Sequence, residues 1–426
     1  MASFSFGAGN AAKLLRIPLY AAGCILTAIV PRSRDEWVFG CGAGIGDGAL
    51  ALWQRAADAS ERAVWLVGSE TERADAARHG IPSIPKHSVR GLWRTARARV
   101  IVITHGFGDV NRYAAAGAYV VQLWHGIPLK RLGLDSPATT RSDVLPGSRT
   151  LARLIGLLYR GAQRRISLLP AASHLVRGRL ESAFGLPDDR VRVTGEPRVD
   201  VLSRGSGEER RTRARARLEE LVGPCGSGVR LVLYAPTWRD GAPDPAVPDA
   251  AEWAQLQATL DAHDAVLLVR SHPLGAGDYT PPAPTARVRG LGSAVVADVT
   301  PLLPGLDVLV TDYSSLLYDV GLVPLPVVFL APDADAYGLE RGFYGTYAEV
   351  AGPDPATSWS DAVSQLAAVL GDAREREGRV ERSRALSAHV HDYDDGGNTD
   401  RVYRTIRAAL DAGTAARSRR VAKGAR

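Results

Sequence analysis

Two histidines each stand within three residues of the end of an apolar run of the kind that forms β-strands. His125 follows residues 119–123, and His272 follows residues 265–269. An imidazole, with an ordinary pKa of about 6.5, can accept a proton from an alcohol near neutral pH. Pro128 stiffens the segment after His125, and Gly126 lets the backbone approach a ligand closely. These segments predict acid–base chemistry, with His125 and His272 as the catalytic residues. The predicted acceptor-side residues are Trp124, Gly126 and Lys130.

A second group of residues is suited to binding phosphate. The run at 308–310 continues into Thr311-Asp312-Tyr313-Ser314-Ser315, which offers hydroxyls and backbone amides where a helix begins. Such amides lack partners within the helix and bind anions readily. In the alternative interpretation, Asp312 or Ser314 only caps that helix. Cations stand after other apolar runs and can neutralise a leaving group. The predicted donor- and phosphate-binding residues are Arg239, Arg270, Thr311, Asp312, Ser314, Ser315 and Arg341.

Two other motifs are weaker signals. Residues 44–49 (GIGDGA) fit a relaxed dinucleotide-binding pattern, but the match is loose in a chain with 44 glycines. Asp333 and Asp335 have the D-x-D form of metal-using sugar transferases, yet they lie in a loop rich in turn-forming residues. The three cysteines are far apart and form no zinc motif. The sequence therefore predicts no nicotinamide or flavin cofactor and no metal.

The strand-forming runs alternate with longer helical stretches, and this alternation occurs twice. It predicts an α/β fold with parallel sheets and crossover helices in two Rossmann-like domains facing across a cleft. Ligands of such sheets bind beyond the carboxyl ends of the strands, where the candidate residues stand. The predicted strands are 37–39, 64–67, 100–103, 119–123, 231–234, 265–269, 308–311 and 326–330. The predicted domains are a membrane-associating segment (1–34), an acceptor domain (35–203), a donor domain (204–410) and a basic tail (411–426).

Composition limits the class of protein. With 426 residues, 46% hydrophobic and 23% charged, the chain has the make-up of a globular protein and not of a collagen-like, disordered or multi-span membrane protein. The formal net charge of +6 favours an anionic partner. The basic tail carries no interleaved aromatic residues, which argues against a single-stranded nucleic-acid partner.

The N-terminal apolar stretch is short. Residues 17–30 fall below the roughly 20 residues that span a bilayer. Cations flank the stretch at Lys13, Arg16, Arg32 and Arg34, a pattern typical of a helix lying in the membrane interface. The alternative is a buried first helix of the N-terminal domain.

Six ordered motifs give the chain a family resemblance. They are QLWHGIPLKRLG (122–133), TGEPRVD (194–200), YAPTWRD (234–240), RSHP (270–273), VTDYSSLLYD (310–319) and RGFY (341–344). With these motifs the chain resembles the CDP-glycerol glycerophosphotransferase family, which builds teichoic acids and related polymers. Ile127 and Glu196 depart from the pattern, standing where threonine and an apolar or aromatic residue are usual.

The resemblance implies a GT-B fold, a CDP-glycerol or CDP-ribitol donor held mainly by the C-terminal domain, and no required metal. It also implies a peripheral position on the cytoplasmic face of the cell membrane, near a lipid-diphosphate-linked polymer acceptor. On this likeness His125 and His272 match the two functional histidines, and Ser314 and Ser315 match the phosphate-binding turn.

The predicted activity is therefore transfer of a polyol phosphate, with glycerol phosphate favoured over ribitol phosphate, to an acceptor hydroxyl with release of CMP. Two alternatives remain open at this point. One is a GT-B glycosyltransferase that uses a nucleotide sugar, and the other is a non-catalytic, membrane-associated binding protein. The choice of polyol, and between single and repeated addition, also stays open.

Overall fold

A computed structural model describes residues 17–140, 147–226, 228–239, 243–271 and 277–424. Within these residues the chain forms twelve β-strands and fifteen α-helices. The strands are β1 (Glu36–Phe39), β2 (Arg62–Val67), β3 (Ser83–Pro85), β4 (Val100–Ile103), β5 (Tyr119–Gln122), β6 (Ile166–Ala171), β7 (Val191–Val193), β8 (Arg230–Ala235), β9 (Ala265–Val269), β10 (Val288–Gly290), β11 (Val308–Thr311) and β12 (Val327–Phe329). The helices are α1 (Ile17–Ile29), α2 (Asp47–Asp58), α3 (Glu70–Arg78), α4 (Val89–Arg97), α5 (Pro137–Thr140), α6 (Arg149–Gln163), α7 (His174–Phe184), α8 (Gly207–Val222), α9 (Ala250–Ala262), α10 (Leu316–Asp319), α11 (Ala334–Arg341), α12 (Tyr347–Ala351), α13 (Trp359–Gly371), α14 (Ala373–Val390) and α15 (Asn398–Gly424).

Local sequence explains where many helices begin and end. Ser69, Ser88 and Ser173 each accept a hydrogen bond from the backbone N–H three residues further on, which starts α3, α4 and α7. At the other end of α7, Gly185 adopts the left-handed conformation (φ 62°) that stops a helix. The strands are short β-branched runs such as the Val-Ile-Val-Ile of β4.

The described residues form two compact units. The first comprises residues 17–125, 147–200 and 395–424, and the second comprises 126–140 together with the described part of 201–394. Each unit contains one parallel sheet, so the predicted α/β fold with two parallel sheets is confirmed.

The sheet of the first unit has seven strands in the order β3-β2-β1-β4-β5-β6-β7. On one face, the rings of Phe39 and Trp65 stack at 5.9 Å. α15 covers this face: the Tyr403 ring stacks on Trp37 at 6.0 Å, and Ile406 and the neighbouring apolar residues of α15 complete the buried cluster. The core of the first unit is therefore built from segments more than 300 residues apart in the sequence.

A buried polar network fixes the start of α15. The Asp200 carboxylate accepts hydrogen bonds from the backbone N–H groups of Asn398 (3.0 Å) and Thr399 (2.8 Å), and from the Thr399 hydroxyl (2.6 Å). Gly195 (φ 75°) lies so close to Asn398 that an added Cβ would fall 1.9 Å from its side-chain oxygen. The motif TGEPRVD thus attaches α15 to the first unit.

The sheet of the second unit has five strands in the order β10-β9-β8-β11-β12. Its core includes Trp253 of α9 and Trp359 of α13, and the Trp359 ring packs edge-on against Tyr234 at 4.8 Å. On α8, Arg211 and Arg215 bind the Asp307 carboxylate just before β11. The neighbouring strands β8 and β11 of this sheet precede the predicted phosphate-binding residues.

The two units divide the chain differently from the predicted domains, most of all at residues 126–140 and 395–424. Residues 126–140 belong to the second unit, because the Lys130 backbone pairs with Phe343 and Arg131 N–H donates to the Gly342 carbonyl. Residues 395–424 belong to the first unit, because α15 covers its sheet. Neither contact follows from the order of elements along the chain.

The N-terminal apolar stretch forms α1, which spans thirteen residues. The helix packs through Gly23 and Tyr20 against Tyr113, and it leaves Leu19, Ile25 and Ile29 half or more exposed. In the part of the chain that the structure describes, every helix is too short or too polar to cross a membrane.

Candidate functional site

His125 stands on a strained turn at the carboxyl end of β5. The preceding residue, Trp124, has φ 64°, a left-handed conformation that a bulky side chain rarely adopts. Gly126 follows with φ 146°. The Trp124 ring packs edge-on against Phe184 at 5.2 Å, which holds the turn in place. Such strain persists only where the surroundings enforce it, and it is frequent at functional sites.

The His125 ring is half-buried and stays neutral over a wide pH range. Burial above all, together with the neighbouring His105 and Arg198, lowers the pKa of His125 to about 3. Nδ1 lies 3.5 Å from the Thr104 carbonyl oxygen, a long contact that favours a hydrogen on Nδ1. Nε2 then carries the lone pair, as a general base requires.

A second histidine, His105, lies against His125 and is not among the residues predicted from the sequence. The two rings are parallel, with centroids 4.1 Å apart and planes 2° from each other. His105 follows β4, the strand that pairs with β5. His105 stands two residues after the predicted strand 100–103, and His125 stands two residues after the predicted strand 119–123, so the same signal marks both histidines.

The loop carrying His105 is ordered by Asp109. One oxygen of this buried carboxylate accepts hydrogen bonds from the backbone N–H groups of Thr104 (2.9 Å) and His105 (2.8 Å). The Thr104 hydroxyl lies 2.8 Å from Nδ1 of His105. Burial also lowers the pKa of His105, to about 4, so both imidazoles are neutral near pH 7.

An ion pair lies within the electrostatic reach of His125. The Arg198 Nε donates to Glu196 at 2.8 Å, and both side chains are almost completely buried. Glu196 is the carboxylate that stands where the family usually has an apolar or aromatic residue. Its charge is balanced within the first unit by Arg198, which accounts for a carboxylate in that place.

The predicted phosphate-binding turn divides into a buried half and an accessible half. Thr311 is completely buried and donates its hydroxyl hydrogen to the Ala235 carbonyl at 2.7 Å. Asp312 is 4% exposed and accepts from the backbone N–H of Thr237 at 2.8 Å. Only Ser314 and Ser315 are half-buried and can offer hydroxyls to a ligand. The Ser314 oxygen also accepts from the Leu316 N–H at 3.3 Å, so the capping alternative is present as well.

Arg239 is fully engaged inside the second unit. Its guanidinium binds Asp333 through two hydrogen bonds (2.8 and 2.9 Å) and binds Asp312 at 2.9 Å. It also lies over the rings of Tyr313 (5.0 Å) and Tyr337 (4.8 Å). Asp333, interpreted from the sequence as a turn residue, is therefore an ion-pair partner. These contacts assign Arg239 a structural role, and its predicted contact with phosphate stays a prediction.

Arg270 is similarly occupied. Its guanidinium donates to the backbone carbonyls of Leu291 (3.2 Å), Val296 (2.9 Å) and Ala297 (2.8 Å), which holds that loop beside β9. A contact with phosphate would require some of these bonds to exchange. His272 lies outside the described residues, so its predicted role stays a prediction too.

Lys130 and Arg341 lie in a cluster of aromatic rings and charges. The Lys130 ammonium is 5.8 Å from the Tyr337 ring centre, and burial lowers the pKa of Lys130 to about 8. Asp312 opposes this change, whereas the positive charges of Arg341 and Arg239 add to it. Burial likewise lowers the pKa of Arg341. The cluster is therefore a place where an added anion would be stabilised.

Metal ligation finds no support among the described side chains, where no group of three or more His, Cys, Asp or Glu residues is arranged to hold an ion. The chemistry that the described arrangement can perform is proton abstraction by a neutral imidazole on the first unit. On the second unit, hydroxyls and buried cations can bind an anion.

A family model and curated relatives match this chain. The family model described as CDP-Glycerol:Poly(glycerophosphate) glycerophosphotransferase matches residues 33–408. A teichoic acid glycerol-phosphate transferase of Staphylococcus aureus (strain NCTC 8325 / PS 47) is 27% identical over 376 residues, covering 83% of this chain and 89% of the relative. A teichoic acid poly(glycerol phosphate) polymerase of Staphylococcus epidermidis is 32% identical over 240 residues, covering 54% of this chain. The present chain spans only 31% of that polymerase.

Solved structures show the same fold. The wall teichoic acid polymerase TagF superposes with a TM-score of 0.75 at 21% identity, covering 94% of this chain and 95% of that one. A TagF variant soaked with CDPG gives the same TM-score and identity, covering 93% and 94%. At this identity the likeness establishes the fold alone.

Proposed function

Because this chain belongs to the CDP-glycerol:poly(glycerophosphate) glycerophosphotransferase family, we propose that it transfers a polyol phosphate, glycerol phosphate above all, from a CDP-polyol to an acceptor hydroxyl and releases CMP. The acceptor in this proposal is a lipid-diphosphate-linked chain of the teichoic acid or capsule type. The similarity to the S. aureus teichoic acid glycerol-phosphate transferase, most of whose length this chain covers, supports the proposal. The TagF variant soaked with CDPG also supports the proposal.

The observation that carries the proposal is the neutral, oriented imidazole of His125 at the carboxyl end of β5. In the proposed step, Nε2 of His125 takes the proton of the acceptor hydroxyl. The hydroxyl oxygen forms a bond to the phosphorus that carries the polyol. The bond from that phosphorus to the CMP oxygen breaks, and CMP leaves with the electron pair. Phosphoryl transfer depends chiefly on positioning and on stabilising charge.

The second unit supplies the groups proposed to hold the donor. The hydroxyls of Ser314 and Ser315 would bind the diphosphate, and Lys130 and Arg341 would neutralise part of its charge. His272 is retained in the proposal as the second functional histidine, on the family likeness alone. Arg239 and Arg270 act in this proposal by holding Asp312 and the loop beside β9.

The activity is tested with a synthetic lipid-diphosphate acceptor. The purified chain is incubated with CDP-glycerol, CDP-ribitol or a nucleotide sugar, and the acceptor mass and the released nucleotide are measured. We expect a mass gain and CMP with CDP-glycerol, and a loss of about 10²–10⁴-fold in turnover for His125→Asn. His79→Asn changes an exposed histidine on the first unit and serves as the control. Turnover with nucleotide sugars alone, or full activity of His125→Asn, would contradict the proposal.

We also propose that the first unit rests on an anionic membrane surface through α1 and α6. Leu154, Leu157 and Leu158 of α6 are 52–63% exposed. At roughly 100° per residue, the exposed Arg149 and Arg153 lie on the face next to these leucines. An exposed apolar face bordered by cations suits the boundary between lipid headgroups and acyl chains.

α1 extends this surface. The Arg165 guanidinium, just beyond the end of α6, lies 3.9 Å from the Cys24 sulfur of α1. Ile25 and Ile29 of α1 add exposed apolar area of the same kind. Under this proposal the protein is a peripheral protein of the cytoplasmic membrane face.

Vesicle flotation tests the membrane proposal. Leu154→Asp combined with Leu157→Asp should reduce binding to vesicles containing anionic lipid at least about tenfold, because each leucine withheld from the interface loses transfer free energy. The control is Leu339→Asp on α11 of the second unit, a leucine that is 89% exposed. Equal loss in both variants, or equal binding to neutral and anionic vesicles, would refute the proposal.

A further inference from the structure

The contact between His105 and His125 has no counterpart in the motifs that identify the family resemblance. His105 follows β4 and His125 follows β5, and Ile103 pairs with Gln122 in the ladder between these strands. The two rings therefore leave the same edge of the sheet side by side. Their near-parallel stack at 4.1 Å leaves little freedom for either ring to rotate.

His105 is itself held from several sides. Asp109 accepts from its backbone N–H, and the Thr104 hydroxyl lies at hydrogen-bonding distance from its Nδ1. The backbone of Gly42 approaches so closely that an added Cβ would lie 2.6 Å from the ring Cγ of His105. A side chain restrained in this way can transmit its position to a neighbouring ring.

Resting on the proposed function, we propose that His105 is a positioning residue for His125. Its ring fixes the plane of the His125 imidazole, so that Nδ1 faces the Thr104 carbonyl and Nε2 is presented to the acceptor hydroxyl. The stacked ring also keeps water away from one face of His125. An imidazole screened from water is poorly stabilised as a cation, so His125 stays neutral before the acceptor hydroxyl binds.

The groups around His125 act on its pKa in opposite directions. His105 and Arg198 disfavour a positive charge on His125, whereas Asp109 and the Thr104 carbonyl favour one. Burial, the largest effect, acts with His105 and Arg198, and the pKa of His125 is lowered. Removing the His105 ring would admit water and remove one of the opposing groups, and the pKa of His125 would then rise toward its ordinary value.

The test compares His105→Ala with His105→Phe, which keeps a flat ring but no titratable nitrogen. We expect His105→Ala to lower kcat by about 10–100-fold, the loss typical of a misplaced catalytic group, with the KM for CDP-glycerol changed less than about twofold. His105→Phe should recover most of kcat. The acid limb of the kcat/KM profile should move to higher pH by about one unit or more in the alanine variant only.

Nitrogen-15 NMR of the imidazoles provides a readout independent of turnover. The His125 signals should show hydrogen on Nδ1 in the unmodified protein and in His105→Phe. In His105→Ala they should show a mixture of tautomers and a raised pKa. An alanine variant with unchanged kcat, tautomer and pKa at His125 overturns the proposal. So does a phenylalanine variant as inactive as alanine, since a flat ring would then not suffice.

The outcomes separate this proposal from the proposed function. If His125→Asn retains full turnover, the role of His125 as base fails, whatever the NMR shows. If His125→Asn is inactive while both His105 variants behave like the unmodified protein, only the positioning role fails. His79→Ala, at an exposed histidine of the same unit, should leave every readout unchanged.

Discussion

Replacing Arg239 with methionine distinguishes a structural arginine from a phosphate ligand. The Arg239 side chain is 6% exposed and pairs with Asp312, whose side chain is 5% exposed, and with Asp333, whose side chain is 24% exposed. Methionine fills part of the volume beside Tyr313 and Tyr337 but leaves both carboxylates without their cation. We therefore expect a large loss of stability in the second unit.

The magnitude follows from the burial of the partners. Removing one member of a buried ion pair costs about 3–5 kcal/mol, because the remaining charge is left uncompensated. Because Asp333 keeps some contact with water, we expect a loss of unfolding free energy near the lower end of this range, at about 3 kcal/mol. In a unit of roughly 200 residues, each kcal/mol lowers Tm by about 2–4 °C. The expected fall is thus about 6–12 °C.

Differential scanning calorimetry measures this change, with Arg287→Met as the matched control. Arg287 also binds two carboxylates, Asp261 and Asp264, but these are 67% and 61% exposed. Pairs so open to water contribute less than about 1 kcal/mol. Adding Asp333→Asn to Arg239→Met should recover part of the loss. A Tm within about 2 °C of the unmodified protein, together with a raised KM for CDP-glycerol, would refute the structural role and favour phosphate binding.

Three further predictions concern stability. Gly195→Ala should lower the free energy of thermal unfolding by more than about 2 kcal/mol, because the added Cβ would clash with Asn398. The control Gly80→Ala, at φ 66° with open space around it, should lower it by about 1 kcal/mol. Equal losses in the two variants would contradict the clash. Asp200→Asn should destabilise the first unit by about 1.5–3 kcal/mol, because charge-assisted hydrogen bonds to the start of α15 are lost. An unchanged Tm would contradict the role of Asp200 in attaching α15 to the first unit. Burial raises the pKa of Asp333, but hydrogen bonds from Arg239 and Tyr313 outweigh it and leave that pKa below its usual value. The resulting stability is present above about pH 4 and lost as the pH falls below it, so the Tm gap between Arg239→Met and the unmodified protein should narrow in acid.

The sequence predicted the strands that consist of uninterrupted apolar, β-forming residues. All eight predicted runs form strands in the structure. The four that were missed are β3, β6, β7 and β10, which contain proline, arginine or glycine and are mostly three residues long. Their place in the sheet depends on pairing with a neighbouring strand, a contact that periodicity along the chain does not record.

The candidate site shows the same limit. The apolar run before His125 predicted its place at the carboxyl edge of the sheet, because any residue just after a parallel strand lies at that edge. The partners of Arg239 and Arg270 could not be predicted from the local sequence, because tertiary packing brings Asp333 to Arg239 and Ala297 to Arg270. Residue type predicted the kind of chemistry here, and only the fold determines which of the cations are already paired.

The covering of the first sheet by α15 has a consequence for synthesis on the ribosome. Trp37 and Phe39 are made early, but Val402 and Ile406, which complete their buried cluster, emerge only after residues 201–394 have been made. The second unit can therefore fold before the first is finished, although it comes later in the chain. Until then the aromatic face of the first sheet stays uncovered, and ribosomes stalled before residue 398 should yield a protease-sensitive N-terminal half.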